Sequence, residues 1–317
     1  MFRFQRLLIL VTLGVVSPIL GLSVRAETLR FAWPDGASAK VSARSEGRRV
    51  GTGPDIRWNM SADFTMQVRR AGDRVVVSRN DFSGWKGTFP PSFGGGAERF
   101  TDMIPTFIVS ADGSSFLGIE GHETARKLMN QSVEQSGGLD AASRSVFGNM
   151  TTDAALRAMA SDFWSVMVGL WQDVELDPEA RYELRNTTSV PQFGGGQLDI
   201  TGEVGFVKET PCPSEGGAQR RCLHFHSETA ADKEQVVKLV QALMQRAVAG
   251  SPVITGWDQR FKADIVVDKA TALPQQLTLT RLHAIEASLQ GRTERVSEEI
   301  TKAYTFVWTL PGDGQKK

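Results

Sequence analysis

The sequence predicts an α+β protein: a large, twisted antiparallel sheet, curved as far as a half-barrel, built of long strands with two main helices packed on it. Three observations carry that expectation. Ile56–Val68 alternates apolar and polar residues over 13 positions. The stretches Thr152–Val174 and Asp232–Ala249 repeat apolar residues at three- and four-residue steps. A three-strand meander is written from about 253 to 309.

The long strand follows from its two faces. Ile56, Trp58, Met60, Ala62, Phe64, Met66 and Val68 share one face; Arg57, Asn59, Ser61, Asp63, Thr65 and Gln67 share the other. Period two over this length means one buried and one wet face, which suits an antiparallel sheet. Ala71-Gly72-Asp73 then turns the chain into Arg74–Phe82. Weaker alternation predicts a strand at Leu29-Phe31-Trp33, followed by a turn at Asp35-Gly36. Leu198, Ile200, Val204 and Phe206 form another face, as do Phe261, Ala263, Ile265 and Val267. Val296, Ile300, Tyr304, Phe306 and Trp308 give the last apolar face, with Gly291 as the turn before it.

The first main helix is capped by Thr152 or Asp153 and carries Leu156, Met159, Phe163, Met167, Leu170 and Val174 as its stripe. Trp164, Val168 and Trp171 widen the stripe until Phe163–Trp171 is apolar almost all round, which predicts burial on two sides. The second helix opens with the capping-box spacing Asp232/Gln235 and stops at Gly250 and Pro252. A weaker helix is predicted over His122–Gln135. Pro91–Gly96 and Pro191–Gly196 share a Pro-x-Phe-Gly-Gly-Gly pattern, read as flexible connections because neither carries the Lys-Ser/Thr of a phosphate loop.

Residues 1–26 read as an export signal. Arg3 and Arg6 precede an uncharged apolar stretch, and Ser23-Val24-Arg25-Ala26 places short residues before a cut near Ala26/Glu27. The alternative is an N-terminal membrane anchor, since the uncharged run from Leu7 to Val24 reaches the lower limit for a span. With cleavage, no stable transmembrane span remains. The expected organisation is signal peptide 1–26, one exported domain over 27–310, and a flexible tail over 311–317. The export location is periplasmic or secreted.

Charge and composition exclude several classes. The whole chain balances 36 Lys+Arg against 36 Asp+Glu. Loss of the signal removes three arginines and no acid, so the mature chain is slightly acidic and is not expected to bind nucleic acid. Cys212 and Cys222 bracket a polar, turn-rich segment, and outside the cytoplasm they are expected to form a disulfide closing a hairpin of about 11 residues. No catalytic motif and no cofactor motif is found. His122-Glu123 lacks a second imidazole, because position 126 is Arg. His224 and His226 sit two apart on one strand face, a spacing that admits copper or zinc; the competing reading leaves both in solvent while Leu223 and Phe225 face the core.

The turn Asp268-x-x-Thr271-x-Leu273-Pro274 between two long strands resembles that of periplasmic lipoprotein-carrier and anti-sigma-regulator proteins, which implies a curved antiparallel sheet around an apolar cavity. The layout also resembles uncharacterised exported bacterial β-rich proteins of unknown function, through Leu29-Arg30-Phe31, the Trp164/Trp171 helix, Pro211-Cys212…Cys222 and Leu273-Pro274. Neither resemblance supplies site residues. The function expected is a non-enzymatic binding or carrier module for an apolar small molecule, with Trp58, Phe64, Trp164 and Trp171 facing the ligand. The alternative partner is another envelope protein, the chain then serving an interaction or structural role; an enzyme with a dispersed site is the third reading.

Overall fold

The structure, a computed structural model, describes residues 27–51, 53–88, 100–135, 141–190, 196–213, 220–247, 253–289 and 291–311. The segment 1–26 expected to be a signal, both Gly-Gly-Gly runs apart from Gly196, and the expected tail beyond residue 311 lie outside the described residues.

Twelve antiparallel strands form one sheet. They are β1 (Ser38–Val50), β2 (Ile56–Ala71), β3 (Arg74–Asn80), β4 (Lys86–Gly87), β5 (Thr106–Ser110), β6 (Phe116–Glu120), β7 (Tyr182–Val190), β8 (Gly196–Pro211), β9 (Arg221–Ala231), β10 (Val253–Asp268), β11 (Pro274–Leu289) and β12 (Arg292–Thr309). The spatial order is β6-β5-β3-β2-β1-β12-β11-β10-β9-β8-β7, with β4 beside β2. The first half of the chain therefore meanders outward from β1. The second half returns from the far edge to β12, which pairs with β1 from Ser38↔Thr309 to Val50↔Ser297. Between the halves run α1 (His122–Gln135), α2 (Ala141–Met150) and α3 (Asp153–Trp164); α4 (Lys233–Ala247) joins β9 to β10.

This corrects the predicted fold class. The described residues are mainly antiparallel β, with four short helices among them as minor elements, and do not form a packed α+β fold. The helical segments announce themselves through caps and a compact stripe, whereas much strand content is spread thinly over small residues. The core face of β1 shows why: it presents Ala39, Val41, Ala43, Ser45 and Gly47. That pattern does not look like an apolar face, yet the strand is central. Gly47 is required there, because a Cβ on it would fall 2.1 Å from the Trp58 indole that lies across it.

Other expectations resolve element by element. Ile56–Val68 lies within β2, and Gly72 makes the turn into β3 at φ 64°. Leu29–Trp33 is not a strand; Trp33 is fully buried there, 5.4 Å from Trp164 and 5.8 Å from Trp308 between ring centroids. The Thr152 hydroxyl caps α3 by accepting from Ala155 N. The predicted continuous helix to Val174 instead passes into a π turn, Ser165–Gly169, with Leu170 N donating to Ser165 O at 2.8 Å. Asp232 caps α4 by accepting from Gln235 N at 2.8 Å, while the Gln235 side chain binds Asp199 on β8 in place of closing the capping box.

The apolar interior falls into two clusters. The larger joins β1–β3, β5 and β6, parts of β8–β12, and helices α1–α3. The smaller packs Val236 and Val240 of α4 against Leu198, Ala231 and Ile254. Both cover the same face of the sheet, here called the core face.

Cys212 and Cys222 form the expected disulfide. It clips the β8–β9 hairpin beside the Pro211↔Arg221 pair. Replacing both cysteines by serine is expected to lower stability by about 2.5–3 kcal/mol, through the entropy of the unfolded loop. Urea denaturation with and without reductant checks this, because reductant should shift only the native protein.

Candidate functional site

Strand β12 locates the site. Its core face reads Val296, Glu298, Ile300, Lys302, Tyr304, Phe306, Trp308. The two gaps in the apolar alternation are charged, and both side chains are buried. Each organises a cluster with one carboxylate among cations.

The cluster at Lys302 is sealed. Asp102, in the turn Thr101–Met103, accepts from the Tyr304 hydroxyl at 2.9 Å and lies 2.7 Å from Lys302 Nζ and 3.8 Å from Arg79 Nη1. Arg79 also donates to the Thr101 carbonyl at 2.5 Å. Its guanidinium lies 4.3 Å from the Phe107 ring centre, 4.7 Å from Phe163 and 5.4 Å from Phe64. Lys302 lies 4.8 Å from Trp85 and 5.0 Å from Tyr304. Ring faces carry the negative end of a quadrupole and so help to stabilise these dehydrated cations. Burial pushes the Arg79 pKa down against the opposing pull of Asp102, and burial together with Asp102 pushes the Tyr304 hydroxyl well above its usual range. The arrangement ties Phe100–Pro105 to β3 and β12. It is a structural clasp.

The cluster at Glu298 belongs to a polar band that crosses the core face between the two apolar clusters. One cross-strand row runs Gly202, Thr229, Phe261, Arg281, Ile300, Gly47, Trp58. The next runs Gln259, His283, Glu298, Arg49, Ile56. Within it Glu298 is fully buried, and its Oε2 accepts from Nε of Arg49 at 3.0 Å and from Nη2 of the same guanidinium. Its Oε1 accepts from Arg281 Nη2 at 3.3 Å, with His283 Nδ1 3.8 Å away. The Trp257 ring stacks on His283 at 5.9 Å and 19°. Trp257 Nε1 donates to Gln259 Oε1 at 3.1 Å. The side chains of Arg49, His283 and Arg281 retain 22%, 17% and 14% exposure, so this cluster reaches solvent where the first does not. Phe261 stands in the band 37% exposed, with half-buried Leu279 at the edge of the larger cluster and half-buried Trp257 and Ile285 at the edge of the smaller.

His283 supplies a pH prediction. Burial, aided by the nearby Arg281 charge, lowers its pKa from 6.5 to about 4, against the opposing pull of Glu298. Above pH 6.5 the imidazole is neutral whether the chain is folded or not, and it contributes no pH dependence. Between pH 6.5 and 4 the unfolded chain takes up a proton that the folded chain refuses. Stability is therefore expected to fall across that window by about 2–3 kcal/mol. Urea midpoints of the wild type and of His283→Gln over pH 4–7 check this, and the variant should lose that part of the slope.

The sequence-predicted site residues distribute differently. Trp58, Phe64, Trp164 and Trp171 are 4%, 3%, 2% and 0% exposed and all belong to the larger core cluster. A ligand would reach three of them only by displacing core neighbours; Trp58 alone stands in the band. His224 and His226 lie on the face opposite the core, where Nε2 of the first and Nδ1 of the second each hydrogen-bond Asp264 Oδ1 at 3.0 Å. Among the described residues no group of three His, Cys, Asp or Glu side chains is placed to hold a metal ion. Sequence reasoning missed Arg79, Asp102, Lys302, Arg49, Arg281, His283 and Glu298. The signal was present as charges at core-face positions of otherwise apolar strands.

Fold and site together define an open-sheeted antiparallel β protein whose core face carries a charged band. No family model matches the chain, and no curated protein matches it. Among solved structures, the attachment invasion locus protein Ail of Yersinia pestis, in complex with the heparin analogue sucrose octasulfate, is 7% identical with a TM-score of 0.15, over 86% of this chain and 99% of Ail. OccK5 (OpdH) of Pseudomonas aeruginosa is 8% identical with a TM-score of 0.23, over 87% and 100% of the two chains. OpdQ of the same organism is 9% identical with a TM-score of 0.18, over 86% and 98%. These are outer-membrane β-barrel proteins. TM-scores so low carry no argument about this chain's architecture or ligands. A transmembrane barrel closes its sheet and turns an apolar band outward. Among the described residues the strand path ends at β6 and β7, and the central strands expose Lys40, Arg44, Glu46, Arg48 and Glu299. No helix among the described residues is long and apolar enough to cross a membrane.

Proposed function

We propose that the chain is an exported, non-enzymatic binding module, a single unit over 27–310 freed by cleavage near Ala26, that takes an apolar ligand on the core face of its sheet. One observation carries the reading: the two apolar clusters do not meet across β10 and β11. In the gap Phe261 is 37% exposed; at its borders Leu279 packs on the larger cluster, and Trp257 and Ile285 on the smaller, each only partly covered. Apolar side chains stay exposed on the inside of a sheet at the cost of unburied area, worth about 25 cal/mol per Å². A ligand lying in the gap recovers that burial. The export signal and the disulfide support an envelope location, since such bridges persist in oxidising compartments.

Mass spectrometry under native conditions, on mature protein purified without detergent, tests the reading. A bound apolar compound that is lost in Phe261→Ser is the supporting result. If the protein emerges bare and fails to bind the fluorescent apolar probe 1-anilinonaphthalene-8-sulfonate in the Phe261-dependent manner, the proposal is wrong.

A further inference from the structure

We infer that the polar band recognises an acidic head group, so that the ligand is an amphiphile: one apolar chain carrying a carboxylate or a phosphate. This rests on the proposed apolar site and names the chemistry of its polar end. The vertical order of charges in the band carries the argument. Glu298 lies at the floor with no exposure, while the guanidinium-bearing side chains of Arg49 and Arg281 stand above it at 22% and 14%. The surface offered to a ligand is therefore cationic, with its anion beneath. The floor carboxylate fixes both guanidinium groups in place before anything binds, which lowers the ordering cost of a charged clasp.

A second, independent group points the same way. Trp58 is 4% exposed, and its indole Nε1 is buried with no hydrogen-bond acceptor among the described residues. The ring lies over Gly47, close enough that a Cβ there would fall 2.6 Å from Nε1. Gly47 is two residues before Arg49 on the same face of β1. A buried indole N–H left without an acceptor is unfavourable. An oxyanion seated beside Arg49 supplies that acceptor. The contrast with the Lys302 cluster is instructive. There aromatic faces close over the cations and leave nothing to recognise, whereas the band keeps Phe261, Leu279, Trp257 and Ile285 alongside its arginines for the apolar chain.

Equilibrium titration of the mature, full-length protein with a chain-matched series decides the matter, followed by tryptophan fluorescence below the micelle concentration. The probes are dodecanoate, dodecyl phosphate, dodecanol and inorganic phosphate. The inference expects dodecanoate and dodecyl phosphate to bind at least tenfold more tightly than dodecanol, and inorganic phosphate at least a hundredfold more weakly than either. In Arg281→Gln, and separately in Arg49→Gln, the ratio of dodecanoate to dodecanol affinity should fall at least fivefold. Trp58→Phe, which keeps an aromatic ring but loses the N–H donor with the five-membered part of the indole, should weaken the acidic probes about threefold relative to dodecanol. Equal binding of dodecanol and dodecanoate to the wild type overturns the head-group inference and leaves the apolar site standing. Tight binding of inorganic phosphate overturns the apolar reading, and binding of none of the four overturns both. The wild-type series needs no variant to fold, so the test survives if a substitution at Arg281 or Arg49 destabilises the sheet.

Discussion

Replacement of Asp102 by alanine is expected to lower stability by about 3–5 kcal/mol, a large share of the stability of a typical domain. The carboxylate is the anion that Arg79, Lys302 and Tyr304 share, and all four side chains are buried. Its removal leaves two cations in a medium that cannot hydrate them, and ring faces supply only part of the missing interaction. The opposite deletion should be milder. Arg79→Met removes a group whose Nε and Nη2 are buried without acceptors among the described residues, and leaves Asp102 with Lys302 and the Tyr304 hydroxyl. Its cost should be less than half that of the alanine variant. Urea midpoints of the two variants, measured side by side at pH 7, check the order. If Arg79→Met proves the worse, the electrostatic account of the clasp fails and packing of the Phe107–Phe163 sandwich replaces it.

Asp268→Ala is expected to be the next most damaging change, at about 2–4 kcal/mol. The carboxylate is nearly buried and ends β10 by accepting five hydrogen bonds. Its Oδ1 takes Ala270 N, Thr271 N and the Thr271 hydroxyl at 3.1, 3.0 and 2.9 Å. Its Oδ2 takes Nε and Nη2 of Arg220 at 3.0 and 2.6 Å. That knot holds Ala272 in the left-handed region at φ 60°, where a residue with a Cβ is strained, and presents the Ala272 carbonyl to Trp33 Nε1 at 3.0 Å. Loss of the carboxylate strands backbone donors, frees the turn and loosens the aromatic nest around Trp33. Asp268→Asn keeps one acceptor oxygen for the turn and gives up the charge-assisted pair with Arg220, so it should cost roughly half as much. Thermal unfolding of both variants checks this, and the near-ultraviolet signal of the tryptophans should weaken first in the alanine protein.

Much of the fold was legible in the sequence where period and punctuation agree. Ile56–Val68 announces β2 because a two-residue period over 13 positions fits no other element. Gly72, Gly291 and the Asp268–Pro274 turn mark their hairpins because each supplies the backbone freedom or the local hydrogen bonds that a reversal needs. The disulfide was readable because two cysteines flank a turn. Strand β1 was not legible. Its buried face is made of small residues that yield no apolar signal until Trp58 and the neighbouring strands are in place. The class was misjudged for a related reason: capped helices advertise themselves locally, whereas small-faced strands do not.

The candidate site was almost wholly illegible, although its residues were in view. Glu298 and Lys302 appear in the sequence as interruptions of an apolar alternation. Whether such a charge is solvated, clasped or presented depends on partners 202 residues away for Tyr304 with Asp102 and 249 away for Arg49 with Glu298. The sequence by itself determined the long-stranded antiparallel design and the hairpin bridge, both properties of local period and composition. Only the tertiary structure decided that β1 and β12 close the two meanders into one sheet. It also decided that one charged cluster is sealed by aromatic faces while the other stands open between two cores. The physical reason is that burial of a charge is a property of its surroundings in space, and chain order records those surroundings only where neighbours in sequence are neighbours in the fold.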